Sequence, residues 1–409
     1  MKSIKFFAFL AVFIAIFLLV MPLSCTQPTA DSQKTDTDKT DTDKTDPGIS
    51  SPEKFLIREN LTTQQLVEEM GLGINLGNTL DACGDWINNS SISNYEKAWG
   101  SPIITEAMIK GYADAGFSSL RIPVAWSNMM QSGNTIHPDL LKRVEEIVNW
   151  TVDSGMIALV NLHWDNGWWE DFALPAEKAD CMEKYTAIWT QVSERFEKYG
   201  DFVLFESMNE VGFGSIWNQW GGTQAQKKQA FDLVNEINQK FVDIVRESGG
   251  NNEGRHLLIN VYNTELTFAY DPLFKMPDDP AGRCAASVHY YTPAVFAILE
   301  KDEDWGQART TWGDAADLKE LNDNMDKLKT NCVDKGIPVI IGEFAACGNN
   351  KSQEMKRLYA VKVAEAVYSR GMCPMLWDTA GDQYNRSTRT WRDPQLITEY
   401  AEIPEKYPR

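Results

Sequence analysis

None of the seven cysteines in this 409-residue chain forms a Cys-x-x-Cys pair, and the four histidines show no His-x-His or His-Glu-x-x-His spacing. Zinc-ribbon, thioredoxin-type and zinc-hydrolase readings therefore lack their defining groups. No Gly-x-Gly-x-x-Gly or Gly-x-x-x-x-Gly-Lys-Ser/Thr follows an apolar run, so the common phosphate cradles are missing too. Positive charge is scarce. The chain has 39 Lys and Arg against 58 Asp and Glu, a net charge of −19. Such a surface disfavours nucleic acid and anionic membranes and favours solubility. It says nothing about an uncharged ligand.

The long apolar run is confined to the N-terminus. Lys2 and Lys5 precede an uncharged stretch, 6–20, that ends in Pro22-Leu23-Ser24-Cys25. It is short for a membrane span, and its charged start fits an export signal. The small residue before Cys25 resembles a bacterial lipoprotein cleavage site, although Pro22 stands where Leu is usual. Residues 1–25 are thus expected to be a leader with Cys25 lipidated. Residues 26–54 repeat Thr-Asp-Thr-Asp-Lys at 35–39 and 40–44 and have little to bury against ordering entropy. They are expected to form a disordered linker. With Cys25 lipidated, six cysteines remain. Export permits disulfides, but spacing does not pair these six, and Cys373 reads as a buried strand residue.

From 55 to 409 short apolar runs alternate with helical patterns. Strand candidates are 73–76, 119–123, 157–163, 203–208, 257–261, 286–291, 339–343 and 374–377. Between them, 138–154 places Leu141, Val144, Ile147 and Val148 on one face, and 225–247 does so with Phe231, Val234, Ile237, Phe241 and Ile244. Eight strands alternating with helices predict an α/β fold, a single (β/α)8 TIM barrel.

In such a barrel, chemistry is done where the strands end. Glu210 and Glu343 each close an apolar run there, at a desolvation cost that needs a reason. The other rim candidates are Arg121, His163, Trp164, Asn209, His289, Tyr291 and Trp377. Two carboxylates brought together are the minimal equipment for glycosidic cleavage, and retention requires them about 5–5.5 Å apart. One must stay ionised, a task suited to the Arg121 cation with the Tyr291 hydroxyl. Asn209 suits a sugar 2-hydroxyl, and Trp377 offers a flat floor for a pyranose. Glu206, four residues before Glu210 and, by alternation, on the same strand face, reads as a deeper partner for Arg121 or a neighbour. His137 and His256 read as structural. Among many tryptophans, Trp164, Trp169 and Trp217 are expected to be cleft platforms.

Gly71–Ala82, Arg121-Ile122-Pro123-Val124, Asn209-Glu210, His289-Tyr290-Tyr291-Thr292-Pro293, Ile341-Gly342-Glu343-Phe344 and Trp377-Asp378 together resemble glycoside hydrolase family 5. The nearest branch comprises bacterial endo-β-1,4-glucanases and xyloglucanases. The resemblance implies a retaining enzyme with Glu210 as acid/base and Glu343 as nucleophile. It further implies glycone-site roles for Arg121, His163, Asn209, His289, Tyr291 and Trp377, and binding of the next sugar by Asn78 and Asp81. Three departures stand out: Trp164 where a second histidine is usual, Val211 in place of proline, and Thr379-Ala380 in place of Asn-Gly. The expectation is an exported, lipid-anchored (otherwise secreted) endo-β-1,4-glucanase of cellulose-type or mixed-linkage glucans. Alternatives are the same mechanism on xyloglucan, mannan or xylan, and an inactive glycan-binding lipoprotein. Neither cofactor nor metal nor nucleic acid is expected; the partner is the polysaccharide, the membrane is met through the lipid alone, and the chain is expected to be monomeric.

Overall fold

The computed structural model describes residues 53–409. The leader and almost all of the linker lie outside the described residues. Eight parallel strands close into a barrel: β1 Gly73–Asn75, β2 Ser119–Ile122, β3 Ile157–Asn161, β4 Val203–Glu206, β5 Leu257–Glu265, β6 Cys284–His289, β7 Val339–Phe344 and β8 Cys373–Leu376. Closure is through Gly73 and Ile74 of β1 against Met375 and Leu376 of β8.

Helices cover the outside. They are α1 Thr63–Glu69, α2 Ile92–Ala98, α3 Glu106–Asp114, α4 Pro138–Asp153, α5 Lys178–Phe196, α6 Gln224–Glu247, α7 Ala294–Ala297, α8 Ala315–Asn331, α9 Gln353–Tyr368 and α10 Pro394–Lys406. Their sequences explain where they start. In α4, Pro138 sits in the first turn and the His137 side chain accepts from Asp139 N–H, which uses one of the terminal donors. In α6, Thr223 and Gln226 form a reciprocal capping box. The buried stripe of α6 is the expected one; in α4 Leu140, not Leu141, joins Val144, Ile147 and Val148 inside. Between β5 and β6 stands no full helix, only the single 3-10 turn Leu266–Tyr270.

The barrel interior is divided by polarity. At its lower end Ile157, Leu159, Leu204, Leu258, Ala285, Ile340, Cys373 and Met375 pack together, and Leu66, Val67 and Met70 of α1 and its cap seal them from below. Each plug side chain contributes about 1.5–3 kcal/mol by burial. His256 is fixed there by Thr63 Oγ1 at 2.9 Å, and burial drives its basicity down to about 3, so it is neutral. Toward the C-terminal ends the inward residues become polar: Asn75, Arg121, Asn161, Glu206, Asn260 and Ser287, all buried. The six cysteines among the described residues are free thiols, and Cys373 is a buried strand residue.

Candidate active site

Glu210 and Glu343 reach the upper mouth by different local devices. Strand β4 ends at Glu206, so Asn209 and Glu210 lie beyond it and strict alternation from Glu206 does not apply. Instead Ser207 N–H is held by Leu258 O, Val211 O accepts from Asn263 N–H, and Phe213 N–H donates to Tyr262 Oη. The segment between these pins turns sharply, and Glu210 takes φ +48°. A left-handed residue other than glycine costs about 1–2 kcal/mol, a strain that the flanking bonds to β5 hold in place.

Glu343 depends on a bulge. Ile340 faces the interior, and alternation would send Glu343 outward. The register, however, passes from Val288↔Ile341 to His289↔Glu343, which skips Gly342. The extra residue restores Glu343 to the interior. A β-carbon at Gly342 would lie 3.1 Å from His289 Nε2, so any larger residue would press the imidazole out of place. The Gly342 carbonyl accepts from Asn75 Nδ2 at 2.9 Å.

Arg121 organises the centre. From a wholly buried position, its guanidinium donates to Glu206 Oε2 at 2.6 Å, Glu343 Oε1 at 2.7 Å, Asn209 Oδ1 at 2.7 Å and Asn75 Oδ1 at 3.0 Å. Tyr291, two residues past the last residue of β6, donates its hydroxyl to Glu343 Oε2 at 3.0 Å. Burial, reinforced by Glu343, keeps that phenol protonated by raising its pKa well above the usual range. Burial also pushes the Glu343 carboxyl upward, while His289 and Arg121 oppose the rise. His289 Nδ1 lies 2.8 Å from Glu210 Oε1 and 3.7 Å from Glu343 Oε2.

A carboxylate oxygen of each glutamate and a ring nitrogen of His289 fall within 4.8 Å of one another. Such a trio could hold a metal ion by distance alone. The Arg121 guanidinium against Glu343 already supplies positive charge there, which favours reacting carboxylates over a metal centre. The two carboxyls are unequal in setting: the Glu343 side chain is 7% exposed, that of Glu210 38%.

The remaining predicted residues fall around this pair. His163 is buried and stacks parallel to Trp377, ring centres 5.8 Å apart at 7°. Burial and Arg121 lower its pKa well below the usual value, so it is neutral. Asn161 Oδ1 accepts from Val124 N–H, which fixes the amide; its Nδ2 then donates to His163 Nδ1 at 3.1 Å. Trp377 follows β8 and packs so tightly on Gly77 that a β-carbon there would lie 2.7 Å from its ring. Asn78, in the left-handed region, and Asp81 belong to the loop after β1. Asp81 accepts from the N–H groups of Asn78 and Thr79, and burial pushes its carboxyl up to about 6. Its oxygens shape that loop. Trp164 is half-buried at the mouth of the β3 loop, its carbonyl holding Trp169 Nε1.

Two expected platforms are core instead. Trp169 packs edge-on against Phe213, and Trp217 sits among Phe231, Tyr262 and Phe268. Both are buried. Sequence reasoning also passed over Asn75, Asn161 and Ser287, which orient Arg121, His163 and Glu206. Their signal was a polar residue at an inward position near a strand's end.

The chain is similar in sequence and fold to known glycoside hydrolases. The family model for cellulase (glycosyl hydrolase family 5) matches residues 80–383. Endoglucanase B of Clostridium cellulovorans is 32% identical over 360 residues, covering 85% of this chain and 77% of that protein. A subfamily 4 broad-specificity endoglucanase from an uncultured bovine rumen ciliate superposes with TM-score 0.76 at 32% identity, covering 85% of this chain and 99% of that one. A family 5 lichenase from Caldicellulosiruptor sp., solved with cellotetraose, gives TM-score 0.78 at 30% identity, covering 86% and 96%.

Proposed function

The chain belongs to glycoside hydrolase family 5, and from that premise we propose that it is a retaining endo-β-1,4-glucanase acting on cellulose-type and mixed-linkage β-glucans. The observation that carries the reading is that a carboxylate oxygen of Glu210 lies within 4.8 Å of one of Glu343, with the two side chains in opposite settings. Inverting enzymes need roughly 6.5–9.5 Å to admit a water, so this spacing suits double displacement.

The settings assign the roles. Glu343 is held by a cation and a phenol and stays a carboxylate aimed by two fixed donors. Its oxygen attacks the anomeric carbon. The glycosidic C–O bond breaks, its electron pair goes to the leaving oxygen, and Glu210 supplies the proton. A water then gives its proton to Glu210 and its oxygen to the anomeric carbon, and the ester electrons return to Glu343. Glu210, more open to solvent and free of a guanidinium, can exchange the proton twice per cycle. Arg121 fixes Asn209 by its Oδ1, which leaves the amide N–H to donate to the sugar 2-hydroxyl. The Asn161 bond likewise leaves His163 Nε2–H as the donor to a sugar, above the Trp377 floor.

A polymeric substrate is supported at the rim. Trp86 and Trp220 are 64% and 79% exposed and lie on the loops that leave the C-terminal ends of β1 and β4. Exposed indoles placed there can stack on successive sugars. Export with a lipid at Cys25 belongs to the same proposal. Residues 54 and 56 pair with Gly200 and Asp201 just before β4, at the N-terminal end of that strand. Fatty-acid labelling lost in Cys25→Ala tests the anchor, and light scattering tests the expected monomer. Reducing-end release on a panel of carboxymethylcellulose, mixed-linkage glucan, xyloglucan, glucomannan and xylan tests the activity. It should be strongest on the glucans and vanish in Glu343→Gln. Binding without hydrolysis on every glycan would sink it.

A further inference from the structure

Two carboxylates share the single charge of Arg121, and one of them touches no reacting atom. Glu206 takes the guanidinium Nε at 2.6 Å and Ser287 Oγ at 2.6 Å, deep in the barrel and without exposure. Glu343 takes the other side of the fork at 2.7 Å. In the resting site the three groups sum to −1, an expensive arrangement for a dry interior. The double displacement gives the surplus a purpose. When Glu343 becomes an ester its charge disappears, and without Glu206 the buried guanidinium would be left unpaired.

Building on the retaining mechanism above, we propose that Glu206 is a positioning residue, the standing counter-ion that keeps Arg121 neutralised and in place while Glu343 loses and regains its charge. Because Glu206 draws on the same cation, it also keeps Glu343 more basic than a lone ion pair would. The other groups facing Glu343 are the Tyr291 hydroxyl, His289, Glu210 and the Cys347 thiol; Asn75 and Asn209 face Arg121 as neutral acceptors.

The test is a carbon-13 titration of the full chain labelled at glutamate carboxyls, with the Glu343 signal identified by its loss in Glu343→Gln. Glu206→Gln leaves a matched Arg121–Glu343 pair, so the variant can fold. It should lower the Glu343 midpoint by about one pH unit, the scale of one nearby charge. The acid limb of kcat/KM should move the same way, while the attack step slows. Ser287→Ala keeps the charge but removes Glu206's second partner, so Glu206 leans harder on Arg121. That variant should move the midpoint upward, and it decides the matter if Glu206→Gln does not fold. An unmoved midpoint in the folded variants would overturn the proposal. The titration needs no substrate, so a wild type inert on glucans would count against the proposed activity separately.

Discussion

Replacing Glu210 by glutamine separates the two carboxyls by function with almost no change in shape. The side chain is 38% exposed, and its recorded partner is His289 at 2.8 Å, which an amide oxygen can still satisfy. Stability should therefore change by less than about 1 kcal/mol. Catalysis should change far more. A positioned general acid contributes about 10²–10⁴ in rate, or roughly 3–5 kcal/mol. That loss should appear in full on a β-glucan, whose leaving group is a poor sugar alkoxide. With a dinitrophenyl β-cellobioside the leaving group needs no proton, so attack by Glu343 should survive and the glycosyl-enzyme should accumulate. Added azide needs no general base and should restore turnover, giving a β-glycosyl azide. Equal losses on both substrates would refute Glu210 as the acid. An α-azide would mean the two glutamates had been assigned in the wrong order.

Other consequences test the supporting structure. Gly342→Ala would place a methyl 3.1 Å from His289 Nε2; kcat should fall at least tenfold while the melting transition drops only modestly, about 1–3 kcal/mol. Trp217→Ala removes a buried core ring and should cost about 3–5 kcal/mol in denaturant unfolding; a stable variant that merely loses long-chain affinity would restore Trp217 to the cleft. Asp279 is opposed by burial, but paired nitrogens of Arg246 at 2.8 and 2.9 Å, with backbone donors, hold it down to about 2. Its folded value lies below its unfolded one, so its stabilisation is present above about pH 4 and fades between about 4 and 2. The stability gap between wild type and Asp279→Asn should therefore close as pH falls through that window, and a constant gap would contradict the linkage.

Much of this was legible in the residues, and the misreadings share a cause. All eight strands lie where apolar runs were bounded by turns, because parallel strands buried on both faces leave continuous apolar signatures. Strand ends were less legible. Alternation was carried past Glu206 to Glu210, whereas the chain leaves β4 and turns left-handed. Glu343 was placed inward from its company of rim residues, but its direction comes from the Gly342 bulge, which a period-two reading does not contain. Trp169 and Trp217 were misplaced because a tryptophan in a loop reads alike whether it faces sugar or other rings. The contacts that decide it, Phe213 for one and Tyr262 for the other, are distant in sequence. Asn75, Asn161 and Ser287 could have been found: each interrupts an apolar strand at an inward position, where an unpaired polar group would be costly.

The most direct measurement is the anomeric configuration of the first product from cellotetraose, followed by proton NMR before mutarotation. Double displacement between Glu343 and Glu210, whose nearest carboxylate oxygens lie within 4.8 Å, predicts the β-anomer first, with the α-anomer growing in slowly. An initial α-anomer would mean inversion, and the assignment of Glu343 as a nucleophile held by Arg121 and Tyr291 would fail.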